Sequence, residues 1–341
     1  MTKISIMSNS QDLKSNPAPT LADIGAYLET CQTVALASHT RPDGDAIGSL
    51  IGLGDALKQL GKDVTMLNLD GATERYEFLE CSSEVKRSAD VKSPLTVDAF
   101  VILDTADSKR VGKSVRACVE SCELMIALDH HVTNERFADV NYIDDTSPAT
   151  GQIVYELIRE MNWPLTAASR DAIWAAIVTD TGSYQYDSVT KRTFDIAGDL
   201  VAQGVAVGDM SARIYQSYRP ERLELLRELL NSMEFSFGGK AASWKIRQEV
   251  TERLGITPVD QEGLIDYLRA VEGVIVAVSF EESQDLVRIS ARSKSRDVDV
   301  SAICQEFGGG GHVLAAGAAV AGNIDEVAKK FLERVGKVIE G

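Results

Sequence analysis

The chain has 341 residues and a net charge of −16, from 35 basic and 51 acidic side chains; at about 100–200 residues per domain it is long enough for two cores, and its acidity excludes tight non-specific binding of long duplex DNA, which relies on many Lys and Arg contacts to phosphate. No uninterrupted apolar run reaches the roughly 18 residues of a membrane span, and the polar opening "MTKISIMSNSQDLKSNPAPT" lacks the apolar centre of a secretion signal, so no membrane association and a cytoplasmic location are expected. The five cysteines (Cys31, Cys81, Cys118, Cys122, Cys304) are scattered, odd in number and never spaced CxxC, which argues against a disulfide framework or a thiolate zinc site.

Residues 1–20, rich in Ser, Asn, Asp and Pro, read as a mobile tail. From Thr33 the short apolar run "TVALAS" is followed by helical spacing in "DAIGSLIGLGDALKQLG" and by further runs of strand length, "KDVTMLNL", "DAFVILDT" and "ELMIALDH". Continuous apolar runs that alternate with helices predict an α/β domain, a doubly wound, mainly parallel sheet covered on both faces, over 21–208. Helices are predicted in "SPATGQIVYELIREM", "AASRDAIWAAIVTDTG" and "KRTFDIAGDLVAQG". The charged amphipathic stretch 209–232 reads as a helical linker. Beyond it, "FSFGGKAASWKI", "VIVAVSFEES", "DLVRISARS" and "LAAGAAV" predict the strands of a smaller α+β domain over 233–341.

The stretch "SHTRPDGDAIGS" packs His39, Asp43 and Asp45 together just where an apolar run ends. Groups of that kind, crowded in one turn, need a cation between them. Asp104 ends "AFVIL", and Asp129, His130 and His131 end "LMIAL". In open α/β sheets ligands bind outside the carboxyl ends of the strands, so three runs deliver acid or imidazole groups to one edge, and Asp180, which closes a helical segment, can reach it. A lone strand-end histidine is ordinarily a hydrogen-bonded surface group, and Asp104 alone would be an ordinary cap; the constellation is what speaks for a metal. Carboxylate and imidazole donors suit two hard or borderline divalent ions such as Mn²⁺, and paired ions suit hydrolysis of a phosphoester. In the second domain Arg292, Lys294 and Arg296 alternate and are expected to share one strand face. The glycine run Gly308 to Gly311 can bring backbone N–H groups close to phosphate, though it also reads as a flexible turn.

Together "HTRPDGDAIGS", "LDTAD", "DHH" and "DTGSY" resemble the DHH phosphoesterase superfamily, which includes RecJ nucleases, family II pyrophosphatases and NrnA-like nano-RNases. The resemblance implies one metal held by His39, Asp43 and Asp104, and a second held by Asp45, Asp104, His130 and Asp180. It implies that His131 is catalytic, facing the phosphate or the nucleophilic water, and that Asp129 orients a neighbour. "ISARSKSRDVDVSAICQEFGGGGHVLAAGAAV" resembles the DHH-associated domain, which implies substrate binding by Arg292, Gly309, Gly310, Gly311 and His312 and closure of the glycine loop over the catalytic cleft. The length and the absence of a basic aromatic groove speak against a RecJ-type exonuclease, and the glycine-histidine loop speaks against a pyrophosphatase. What remains is a nano-RNase acting on short RNA oligonucleotides and on small nucleotides such as 3′-phosphoadenosine 5′-phosphate, with homodimers common among its relatives. Two alternatives stay open: a cyclic di-AMP or pApA phosphodiesterase, and a nucleotide-binding regulator that has lost the chemistry, against which the complete ligand set argues.

Overall fold

The computed structural model describes residues 9–284 and 286–341. The chain divides between Ser217 and Tyr218 into two compact units.

In the first unit six strands, β1 Thr33–Ala37, β2 Asp63–Asn68, β3 Val85–Arg87, β4 Leu95–Leu103, β5 Val119–Asp129 and β6 Val140–Ile143, form one sheet in the order β3-β2-β1-β4-β5-β6. Every pair is parallel. The helices are α1 Ser10–Ser15, α2 Leu21–Thr30, α3 Gly44–Gln59, α4 Lys113–Ala117, α5 Thr150–Glu160, α6 Ala167–Asp180, α7 Lys191–Ala202 and α8 Val207–Tyr215. Strand order reverses between β1 and β4, which makes the carboxyl ends of those two strands the topological switch point where ligands bind in such sheets.

The central strands β1, β4 and β5 are apolar over their carboxyl halves, where both faces are buried. Val34, Leu36, Val101, Leu103, Ile126 and Leu128 pack on one face with Ile47, Leu50, Val154 and Ile173. Ala35, Ala37, Phe100 and Ile102 pack on the other with Val111 and Val115. The two faces are covered unequally: α3, α5 and α6 contribute to the first cluster, whereas among the described residues α4 is the only helix contributing to the second.

Of the expected tail, residues 1–8 lie outside the described residues. Its remainder is built in: Asn9 caps α1, and Leu13 is fully buried in the main core. The stretch 209–232 is divided rather than free-standing. Helix α8 buries Met210 and Ile214 in the first unit, while α9 (Pro220–Asn231) buries Leu225 and Leu229 against Trp244 in the second. An amphipathic helix lowers its free energy by burying its stripe on the nearest apolar surface, and these two found different ones.

The second unit holds a mixed sheet ordered β11-β12-β10-β9-β8-β7, from β7 Glu234–Ser236, β8 Ala241–Ile246, β9 Val276–Ser283, β10 Leu286–Ser293, β11 Gly310–His312 and β12 Ala315–Ala321. Only the β8–β9 pair is parallel. Besides α9 it carries α10 Gln248–Leu254, α11 Pro258–Gln261, α12 Ile265–Arg269, α13 Val300–Glu306 and α14 Ile324–Glu340. One sheet face packs Val278, Phe280 and Ile289 with Ile303, Phe331 and Val335; the other packs Ala242, Trp244 and Ala277 with Leu225, Ile265 and Leu268. "FSFGGKAASWKI" is two strands, not one. Phe237, Gly238 and Gly239 take φ of 52°, 65° and 86°, and three left-handed residues in a row reverse the chain between β7 and β8. Among the described residues no helix is long and apolar enough to cross a membrane.

Candidate metal centre

Helix α3 starts at the end of β1 because Asp43 caps it, its Oδ1 accepting the N–H groups of Asp45 and Ala46 at 3.1 Å each. Along α3, Gly44, Gly48 and Gly52 recur every fourth residue and share one face. A Cβ at Gly48 would lie 2.3 Å from the Ala172 carbonyl oxygen, one at Gly44 would lie 2.3 Å from Thr179 Oγ1, and one at Gly52 would meet Ile173. The stripe lets α6 lie against α3 in the antiparallel sense. The last residue of α6, Asp180, is thereby brought to the start of α3, where Asp45 stands.

Around this junction the side chains gather in two groups. His39 Nε2 lies 3.8 Å from Asp43 Oδ1 and 3.3 Å from Asp104 Oδ2. His130 Nε2 lies 3.7 Å from Asp45 Oδ2, 3.5 Å from Asp104 Oδ1 and 3.4 Å from Asp180 Oδ2. The donor atoms of His39, Asp43 and Asp104, and separately those of Asp45, His130 and Asp180, fall within 4.8 Å of one another. Asp104 faces both groups, one oxygen to each. It sits directly after β4 at φ 52°, a conformation that Asp tolerates better than most residues; its N–H bond to the Leu128 carbonyl (3.1 Å) and the Thr150 hydroxyl on its Oδ1 (3.4 Å) hold it there.

The histidine tautomers follow from their partners. His39 Nδ1 is 2.9 Å from the Thr40 carbonyl and His130 Nδ1 is 3.3 Å from the Ser147 carbonyl. A carbonyl only accepts, so both Nδ1 atoms carry hydrogen. In the neutral form each Nε2 then turns a lone pair toward the carboxylates, which is how metal-binding histidines are fixed.

Asp45 is buried and fully engaged. Its Oδ2 accepts the Thr150 N–H at 2.6 Å, and its Oδ1 accepts the Gly151 N–H at 2.8 Å and the Ser49 hydroxyl at 3.0 Å. The N-terminus of α5 thus points at it, a favourable place for an anion. Burial and the Asp104 and Asp180 carboxylates nevertheless raise its pKa well above the usual range. Burial also raises Asp180, against the pull of His130, to about 6. Burial alone would raise Asp104 as well, but hydrogen bonds from His130 and His39 bring it well below the ordinary value. Burial and the Arg110 guanidinium oppose protonation of His39, yet Asp104 and Asp43 raise its pKa; His130 is raised further by Asp104, Asp180 and Asp45, despite burial. Asp45, Asp180, His39 and His130, all raised, therefore favour protons that a divalent cation would displace. The donors are all oxygen and nitrogen, which fits hard or borderline divalent ions.

Beside this cluster Asp129, fully buried, accepts His131 Nδ1–H on Oδ1 (2.7 Å) and Asn134 Nδ2–H on Oδ2 (2.6 Å). Asn134 also donates to the Thr105 carbonyl at 3.0 Å. Burial works against the Asp129 charge, but His131 holds its pKa below the ordinary value. Sequence reasoning assigned no role to Asn134, Ser49, Thr150 or Gly151. Ser49 stood only as the end of "HTRPDGDAIGS", and Thr150 and Gly151 only as the start of the predicted helix in "SPATGQIVYELIREM".

In the second unit, His312 pairs with Ala315 and Gly310 with Gly317 across β11 and β12. The second half of the glycine run, Gly310 and Gly311, is thus strand, while Gly308 lies in the turn that precedes it. A Cβ at Gly309 would lie 2.0 Å from the Gly317 carbonyl oxygen, and one at Gly311, whose φ is 140°, would lie 2.6 Å from that of Ala315; Gly310 has open space. Arg292 lies on β10. The expected single-faced stripe stops with it: β10 ends at Ser293, and beyond it the Lys294 ammonium turns to the Val271 carbonyl at 2.8 Å.

Comparison with known proteins agrees with this arrangement. The model of the DHH family, N-terminal domain, matches residues 33–179, and that of the DHHA1 domain matches 248–341. The chain is 32% identical to the bifunctional oligoribonuclease and PAP phosphatase NrnA of Thermus thermophilus, over 89% of each protein. It is 26% identical to the protein of that name from Bacillus subtilis, over 84% of this chain and 89% of the relative. Among solved structures, an exopolyphosphatase-related protein from Bacteroides fragilis superposes with a TM-score of 0.81 at 23% identity, over 93% of this chain and 95% of that one, which shows the fold. DHH phosphoesterases are metal-dependent, and the donor cluster fits that requirement. From its two family domains and its similarity along most of its length, the chain belongs to the DHH phosphoesterase family.

Proposed function

We propose that this protein hydrolyses very short oligoribonucleotides at a two-metal centre, with 3′-phosphoadenosine 5′-phosphate as a second substrate. The observation that carries the reading is the position of Asp104, with one oxygen toward the His39 group and the other toward the His130 group. His39, Asp43 and Asp104 would hold one ion, and Asp45, Asp104, His130 and Asp180 the other, with Mn²⁺ the best match to these donors. When bound, such a pair neutralises charge on phosphoryl oxygens and acidifies water. The chain's own groups do the rest. His131, oriented by Asp129, faces the phosphate or the attacking water, and the Thr150 and Gly151 N–H groups keep Asp45 fixed. Arg292 and the run Gly309 to His312 supply the nucleotide contacts. The substrate class is supported by the activities for which the NrnA relatives are named.

The test is to compare kcat/KM, with Mn²⁺, for pApA, a short RNA, 3′-phosphoadenosine 5′-phosphate, cyclic di-AMP and pyrophosphate. The linear dinucleotide and short RNA should lead. Cyclic di-AMP leading would move the role to second-messenger turnover with the same metal centre. Nucleotide binding without turnover of any of them would make the protein a regulator instead.

A further inference from the structure

We propose that Arg110 binds a phosphate of the substrate other than the one being cleaved, and so favours short substrates that carry a terminal phosphate. The inference rests on the oligoribonucleotide reading above. Residues Asp107 to Gly112 form a turn in which the Arg110 N–H donates to the Asp107 carbonyl at 3.0 Å, Gly112 N–H to the Lys109 carbonyl at 3.1 Å, and Lys109 N–H to Asp107 Oδ1 at 2.7 Å. This turn is fastened to the metal centre by backbone. The Thr40 N–H donates to the Arg110 carbonyl at 2.7 Å, and the Thr40 carbonyl accepts Nδ1–H of His39 at 2.9 Å. Gly112, at φ 89°, lets the turn close on Thr40, since a Cβ there would already be 3.3 Å from Thr40 Cγ2.

The backbone of Arg110 therefore stands one residue from His39, and its charge is felt at that imidazole. Its side chain is exposed and, among the described residues, makes no hydrogen bond or ion pair. Some arginines of the first unit are paired with carboxylates, Arg87 with Asp90, Arg192 with Asp144 and Glu156, Arg213 with Asp209; among the described residues Arg116, Arg136 and Arg159 share with Arg110 the lack of such a partner, and what sets Arg110 apart is its backbone bond next to His39. In a chain of net charge −16, a guanidinium with no carboxylate partner, one residue from His39 in the fold, is placed to meet an anion at the edge of the centre. A planar fork of donors suits phosphate. The scissile phosphate is neutralised at the centre, whereas a further phosphate repels the surrounding acidic surface unless a cation meets it there. Exposed Lys109 adds a second positive charge beside it.

The experiment measures kcat/KM for pApA and for ApA with the full-length protein and Mn²⁺, in wild type, Arg110→Ala and Arg110→Lys. Bis(p-nitrophenyl) phosphate serves as a generic diester. The Thr40 bond uses the backbone carbonyl of residue 110, so it survives both substitutions. The ratio of pApA to ApA should fall about tenfold or more in Arg110→Ala and recover in part in Arg110→Lys. A ratio unchanged in Arg110→Ala overturns the inference. If wild type hydrolyses the generic diester but neither dinucleotide, the oligoribonucleotide reading itself falls, and this inference with it.

Discussion

Asp129 Oδ1 lies 2.7 Å from His131 Nδ1, inside a side-chain network at the carboxyl ends of the strands. The second carboxylate oxygen is occupied by Asn134. An asparagine at 129 would have one acceptor oxygen for these two donors, so either one bond is lost or His131 must take the other tautomer to accept from the amide. Asp129→Asn should lower kcat by about 10–100-fold, as is usual for groups that orient active-site residues, with a smaller change in KM. Steady-state kinetics at saturating Mn²⁺ checks this; a pure KM effect would contradict the orienting role.

The α3–α6 contact makes a second prediction. Gly48→Ala places a methyl 2.3 Å from the Ala172 carbonyl oxygen and 2.8 Å from the Ala176 Cβ, where backbone must give way. Overpacking of this sort costs about 1–3 kcal/mol, and the displaced α6 carries Asp180 with it. Calorimetry should show a lower Tm and kinetics a loss of turnover. Gly198→Ala, on α7 with open space around it, should leave both nearly unchanged.

Acidification should stabilise the metal-free protein. Burial raises Asp180 from 3.8 to about 6, so in that interval the folded state holds a proton the unfolded chain has released. Unfolding free energy therefore rises as pH falls through 6 toward 4, and levels off below the unfolded value. His130, whose pKa is raised despite burial, acts in the same sense from higher pH. Since a cation competes with these protons, the gain in Tm on adding Mn²⁺ should be greatest above pH 6 and shrink below it. Calorimetry with and without Mn²⁺ across this range tests the coupling, which Asp180→Asn should weaken; a pH-independent gain would contradict it.

Within the glycine run the three positions should behave differently. Gly309→Ala and Gly311→Ala drive a methyl into β12 and should destabilise the second unit, whereas Gly310→Ala meets nothing within 4 Å. If the run contacts nucleotide, Gly310→Ala keeps the Tm and raises KM. An unchanged KM would remove Gly310 from the substrate contacts.

Local pattern carried most of the fold into view. β1, α3, β2, β4 and β5 are long apolar or amphipathic segments whose periodicity is decided by burial, and the ligand candidates stand at their ends. Shorter pieces escaped. The three-residue strands β3 and β11 are held by neighbours rather than by their own pattern, and β10 ends at Ser293, three residues before the alternation of basic side chains ends at Arg296. The tail reading treated polar texture as mobility, whereas Leu13 is buried; the amphipathic linker reading left open where its apolar stripe would pack, and Ile214 and Leu225 are buried in different units. Around the site, the acids and histidines were legible because their chemistry is rare at strand ends. Asn134 and the α5 N–H groups were not, since they act through contacts set only by tertiary packing. The Gly44, Gly48, Gly52 stripe was visible as spacing, but its purpose needs α6.

The most direct test of a two-metal centre joined by Asp104 is to count Mn²⁺ bound per chain by calorimetric titration, in wild type and in Asp104→Ala, alongside hydrolysis of pApA. The account predicts two ions per chain in wild type, tighter and fully occupied at the pH of activity, with at most one and no turnover in the variant. A wild-type protein that binds a single ion at full activity, or an Asp104→Ala protein that keeps both ions and its rate, would contradict it.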